Sequence, residues 1–255
     1  MHSAEPQFVL RLARDADDLR AAQKLRYDVF VRELGSDGPL VDHKQGLERD
    51  AFDPYYDHLV LFDKSREDMP AVGVYRLLRG DQISGPGQFY SEAEYDVSTL
   101  KASGRKLLEL GRSCLHPEYR GGAAMMVLWN GLANYVAEHE IEVLFGVASF
   151  HGTDIEALNA PLSLLHHRYL APEDLRVCAH PHVYQEMNLL AEEQIDRPKA
   201  MRSVPALIKA YLRLGGYVGQ GAFVDHSFNT TDVCLIMDTN KMSAKHKAIY
   251  TEKRR

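Results

Sequence analysis

Residues 106–137, KLLELGRSCLHPEYRGGAAMMVLWNGLANYVA, carry both hydrophobic periods back to back. The first part alternates. It places Leu107, Glu109, Gly111 and Ser113 on one face of a strand and Leu108, Leu110, Arg112 and Cys114 on the other. After Pro117 and the turn at Tyr119-Arg120-Gly121-Gly122, apolar residues Met125, Leu128, Trp129, Leu132, Tyr135 and Val136 follow helical spacing. A further apolar strand over 141–149 completes strand, helix, strand, which predicts a crossover joining parallel strands in an α/β fold.

Two charges interrupt the first strand. A carboxylate and a guanidinium among buried residues cost several kcal/mol unless paired or lining a site, so Glu109 and Arg112 argue for a cleft. Three residues apart, they would point to opposite sides of a regular strand. Gly111 between them predicts a bulge, which would turn both toward one cavity and free backbone groups for a ligand. The start of the following helix, with Arg120, Gly121 and Gly122, presents unpaired N–H groups and a positive dipole end suited to a phosphate, or simply begins a helix.

The chain of 255 residues has 45% apolar and 26% charged residues, ordinary for a globular protein with an ample core. The net charge of −6 is uneven: residues 241–255 hold six Lys or Arg against one Glu, leaving 24 basic and 35 acidic residues elsewhere. That tail reads as a basic appendage, either a solvated end or a contact for an acidic partner or anionic membrane. Cys114, Cys178 and Cys234 lie in apolar contexts without metal-ligand spacing, which predicts reduced thiols in a cytoplasmic protein. No secretory leader or spanning run is recognisable, five histidines between 151 and 182 lack a metal-site pattern, and neither a metal nor a nucleic-acid partner is expected.

Elsewhere, a strand over 8–12 precedes a helix from Asp15 to about Leu34, on which Arg26 and Phe30 share a face. A polar loop over 35–46 is long enough to serve as a lid. Glu48, Asp50 and Asp53 then crowd three carboxylates before a strand at 58–62, and Arg76 is a charge inside the apolar strand 71–78. Residues 80–103 read as loop, 154–170 as a capped helix, 172–183 as a short strand region, 186–196 as acidic and helical, and 205–214 as a helix with Pro205 in its first turn. Strands at 221–226 and 232–237 close a mixed sheet as a hairpin. One domain over 1–240 and the tail 241–255 are expected.

Four segments, LRYDVFVRELG, LERDAFDPYYDHLVLF, LELGRSCLHPEYRGG and YLRLGGYVGQGAFVDHSFNTTDV, together resemble the GNAT acyltransferase superfamily. Within it the chain is similar to bacterial enzymes that acylate ornithine during aminolipid synthesis, from about Phe8 to Asp238. More distantly, Arg26, Phe30, Asp50, Asp53, Arg76, Glu109 and Arg112 match the charged pattern of acyl-homoserine-lactone synthases. The resemblance implies a mainly antiparallel mixed sheet with flanking helices and a bulged central strand. It also implies transfer of a 3-hydroxyacyl chain from acyl carrier protein to the α-amine of L-ornithine, giving lyso-ornithine lipid.

In that reading Glu109 and Arg112 are catalytic, and Arg26, Phe30, Asp50, Asp53 and Arg76 bind the amino acid. Arg120, Gly121 and Gly122 meet the phosphopantetheine of the carrier. The usual GNAT pyrophosphate loop would need glycine at 123 and a small residue at 125. Ala123 and Met125 stand there, so a carrier protein is expected in place of coenzyme A, with no resident cofactor. Glutamine as acceptor, or a non-catalytic protein binding the carrier or touching the membrane peripherally, are the alternatives.

Overall fold

The central strands of the first half of the chain are apolar on both faces, so each is covered on either side. The computed structural model describes residues 5–241. In chain order the first elements are β1 (Phe8–Leu12), α1 (Ala16–Arg26), β2 (Asp57–Asp63), β3 (Ala71–Arg79), β4 (Tyr95–Asp96), α2 (Ser98–Ala102), β5 (Leu107–Leu115) and α3 (Ala123–Glu138). There follow β6 (Val143–His151), α4 (Ile155–Tyr169), β7 (Cys178–Ala179), β8 (Tyr184–Gln185), α5 (Arg197–Ser203), α6 (Ala206–Arg213), β9 (Tyr217–Val218), β10 (Ala222–Asp225) and β11 (Thr230–Asp238). They form two compact units. Residues 5–86 with Leu110–Glu140 make the first, and Gly87–Glu109 with residues 141–241 make the second.

In the first unit β1, β2 and β3 pair antiparallel, with the later part of β5 beside β3, where the His116 N–H reaches the Val72 carbonyl. Successive side chains point to opposite faces, and the contacts follow that rule. Val60, Phe62, Val74 and Cys114 pack under Ala22, Leu25 and Val29 of the first helical segment. Their neighbours Leu59, Gly73 and Leu115 turn to the other face, toward α3. There Gly73 and Gly131 let helix and sheet close up, since a β-carbon at Gly131 would lie 2.1 Å from Leu10 and one at Gly73 2.7 Å from Leu128. Arg76 shares parity with Val74. It therefore belongs to the α1 face.

The second unit is built on β6, which runs parallel to the first residues of β5, with Leu107 opposite Val143 and Glu109 opposite Phe145. The expected crossover is thus present. β11 pairs antiparallel along all of β6, and β10, β8 and β9 extend the mainly antiparallel sheet. β4 and β7 form a separate two-stranded ribbon. Asp154 caps α4 through the Glu156 and Ala157 N–H groups.

Several expectations change. Residues 27–33 continue α1 as a π-helix where a uniform α-helix was expected. The 80–103 stretch carries β4 and α2, and the 172–183 region pairs only over Cys178–Ala179. The acidic 186–196 segment is not an α-helix but has one 3-10 turn at Glu192–Gln194, because Ser163 Oγ on α4 takes the Leu189 and Leu190 N–H groups, each at 3.0 Å. Pro205 precedes α6 as its cap, outside the first turn. Among the described residues no helix is long and apolar enough to cross a membrane. Apart from Lys241, the basic tail lies outside the described residues.

Candidate active site

The first unit gathers six charges into a closed ring of alternating sign. Arg26, at the last position of α1, bonds Glu48 and, at 2.7 Å, Asp53 Oδ1. Arg76 Nη1 reaches the same Asp53 oxygen at 2.9 Å and Asp50 Oδ2 at 2.6 Å. Arg112 closes the circle, with Nε 3.1 Å from Glu48 Oε1 and Nη2 3.5 Å from Asp50 Oδ2. Three guanidiniums therefore meet three carboxylates.

Burial is uneven around the ring. Arg26 and Arg76 are 0% exposed and Asp53 4%, whereas the Asp50 and Arg112 side chains keep 18% and 16% of their surface. The buried side is further tied down by Gln23 Nε2 on Asp53 at 2.9 Å and by the ring of Tyr56, 4.4 Å from the Arg76 guanidinium. Burial favours the neutral form of Asp53, but Arg26 and Arg76 overcome it and hold the carboxyl well below the usual range. Burial acts likewise on Asp50, and Arg76 with Arg112 keep it ionised. His58 is pushed down by its own burial, and its neutral ring donates Nε2–H to the Asp53 carbonyl at 3.0 Å.

The irregularity expected at Gly111 falls one residue later. Arg112 itself has φ +48°, a left-handed backbone that costs an ordinary residue about 1–3 kcal/mol and persists only where surroundings enforce it. Its ion pairs to Glu48 and Asp50 supply that enforcement. Phe30 packs instead against the Ala22, Val29 and Cys114 cluster, and the ring under Arg76 is that of Tyr56.

Glu109 belongs to the second unit and is 1% exposed. Its two oxygens accept the backbone N–H groups of Tyr90 and Ser91 at 2.9 and 2.7 Å. Those donors open a 3-10 turn, Tyr90–Ala93, anchored by Phe89 edge-on to Phe145 at 4.9 Å. In the first unit Arg120 forks onto Glu33 with two bonds of 2.6 Å, and this pairing holds the Glu33 carboxyl below its usual range. Gly121 has φ +76°, and Gly122 caps α3 without a side-chain hydrogen bond.

Of the residues expected from the sequence, the structure brings Arg26, Asp50, Asp53, Arg76 and Arg112 to one place and leaves Phe30 and Arg120 in other contacts of that unit. The sequence did not single out Glu48, which bridges two arginines, although Glu48 stands in the same acid cluster as Asp50. Gln23, one turn before Arg26, carried a weaker signal. The Tyr90 and Ser91 donors had none, since any residue offers a peptide N–H.

An Acetyltransferase (GNAT) domain matches residues 25–130, and the mixed sheet with flanking helices is that class of fold. An L-ornithine N(alpha)-acyltransferase of Rhodobacter capsulatus is 60% identical over 99% of this chain and 98% of its own length. One from Brucella abortus is 42% identical, covering 94% and 88%. The structure of a CoA-dependent acyl-homoserine lactone synthase aligns with a TM-score of 0.53 at 13% identity, over 96% of this chain and 88% of that one, a likeness of fold. The chain belongs to the L-ornithine N(alpha)-acyltransferase family. It is an acyltransferase.

Proposed function

We propose that this protein transfers a 3-hydroxyacyl chain from acyl carrier protein to the α-amine of L-ornithine, forming lyso-ornithine lipid. The relatives' shared acceptor, at up to 60% identity along the chain, carries the reading. The side chains then divide the work. Ornithine brings a carboxylate and a side-chain ammonium, and Arg112 and Asp50 are ring members of opposite sign that solvent reaches. Arg26, Asp53 and Arg76, buried and joined through the Asp53 carboxylate, position that pair. Phe30 shapes the same helical face.

The neutral amine attacks the thioester carbonyl, a C–N bond forms, and the oxyanion collapses with loss of the carrier thiolate. Glu109 takes the proton shed by the amine, directly or through water, and the thiolate is protonated on departure. Backbone N–H groups near the left-handed turn at Arg112 suit the oxyanion. Arg120, on releasing Glu33, and the N–H groups at Gly121 and Gly122 receive the phosphodiester of the phosphopantetheine. The enzyme needs no resident cofactor in this scheme.

The test is direct. Purified protein with 3-hydroxyacyl carrier protein and, separately, ornithine, glutamine, lysine and glycine should yield a mass increase of one acyl group on ornithine alone. Acylation of glutamine instead would replace the acceptor, and no acylation would end the proposal.

A further inference from the structure

Five of the eleven Lys and Arg among the described residues of the second unit stand on one short stretch of chain. Residues 197–213 contain five Lys or Arg and no Asp or Glu, in a chain whose net charge is −6. α5 exposes Arg197, Lys199 and Arg202, and α6 exposes Arg213 while turning Ile208, Tyr211 and Leu212 inward. The acidic residue just before the stripe, Asp196, is used as the cap of α5, accepting the Lys199 N–H at 3.0 Å.

Beside this stripe α4 and α5 enclose an open groove of about 450 Å³ lined by Leu164, Arg168, Tyr169, Arg197, Pro198 and Met201. Leu164, Pro198 and Met201 give it an apolar part, and the exposed Arg168 and Arg197 a cationic one. Arg168 and Arg197 share a single carboxylate, Glu192 Oε1, at 2.5 and 3.0 Å, so one positive charge at the groove is not balanced by that pairing.

From this arrangement we infer that the α5–α6 face, with the groove beneath Arg168 and Arg197, is a docking surface for an anionic lipid bilayer. A phospholipid supplies on one molecule the phosphate that the spare cation selects and the hydrocarbon that the apolar lining accepts. Because α6 buries its own apolar side, contact is peripheral and mainly electrostatic. The inference deepens the function proposed above, for an amphiphilic product must pass into a membrane, and it rests on that reading for its purpose only.

The full chain is sedimented with sucrose-loaded vesicles of phosphatidylcholine, with and without phosphatidylglycerol. Binding is expected only with the anionic lipid and is lost at about 0.5 M salt. Each surface cation contributes about five-fold to such partitioning, so K199E/R202E should weaken it by at least about 25-fold while circular dichroism stays unchanged. A variant with Lys245, Lys247, Lys253, Arg254 and Arg255 all changed to Gln should still bind. Equal binding by K199E/R202E, or loss of binding in the tail variant alone, overturns the inference. So does a K199E/R202E protein that stays on vesicles but slows vesicle-free transfer from acyl carrier protein, which would make this face a carrier dock. Vesicle binding by a wild-type protein that acylates no amino acid would sink the proposed function and leave the surface assignment standing.

Discussion

Glu48 and Glu109 are both nearly sealed from water, at 2% and 1% exposure, yet opposite means hold them. Glu48, in the first unit, lies between the guanidiniums of Arg26 and Arg112. Glu109, in the second, is cradled by two peptide N–H groups. The hold on Glu48 is lost with either arginine side chain, whereas the donors on Glu109 belong to the main chain and survive substitution of Tyr90 or Ser91. The first is a strut of the ring; the second is the carboxylate assigned above as base.

If that contrast is right, Glu109→Gln should lower kcat by about 10²–10⁴-fold, as loss of a general base does. Its amide also leaves one N–H without an acceptor, so stability should fall by about 1–3 kcal/mol. Turnover within ten-fold of the parent, measured per folded molecule, would remove Glu109 from the mechanism. Arg76→Met should be felt mainly in stability, by about 3–5 kcal/mol in a denaturant titration, because it strands Asp53 and Asp50 beside one arginine each. An unchanged midpoint would mean the ring contributes nothing to the fold.

Arg112→Lys keeps the charge and loses the planar fork. The Michaelis constant for the amino acid should rise about ten-fold, with a smaller change in kcat, in steady-state assays. A change confined to the carrier's Michaelis constant would instead place Arg112 against the donor.

Acid should act more gently, and its sign follows from the ring. Asp50 and Asp53 have folded pKa values below the ordinary 3.8, so the unfolded chain binds more protons as pH falls through that value. The stability they contribute is complete above the unfolded pKa and lost on acidification through the folded one. Melting temperature should therefore drop below about pH 4, and the drop should be shallower in Asp53→Asn.

Much of the architecture was readable from pattern. Alternation marks β1 and β5, short apolar runs mark β2, β3, β6 and β11, and caps or helical spacing mark α1, α3 and α4, because these signals depend on neighbours a few residues apart. The failures have particular causes. α5 is only seven residues long, opened by Asp196 and ended before Pro205, too short for a period to show. The 186–196 segment looks helical by composition, but a buried serine on α4 takes the N–H groups that a helix would use. Glycine at 111 suggested where β5 would bend. Arg112 bends instead, since two ion pairs outweigh its backbone cost.

Local chemistry alone was enough to say that Arg26, Asp50, Asp53, Arg76, Glu109 and Arg112 could not be idle in apolar surroundings, for an unpaired buried charge is expensive wherever it lies. It could not say which charge answers which. Arg26 meets a carboxylate 22 residues away and Arg112 reaches the same one across 64, and such pairings exist only once α1, β3 and β5 have been packed together. Desolvation sets the demand along the chain, and three-dimensional proximity chooses the partner.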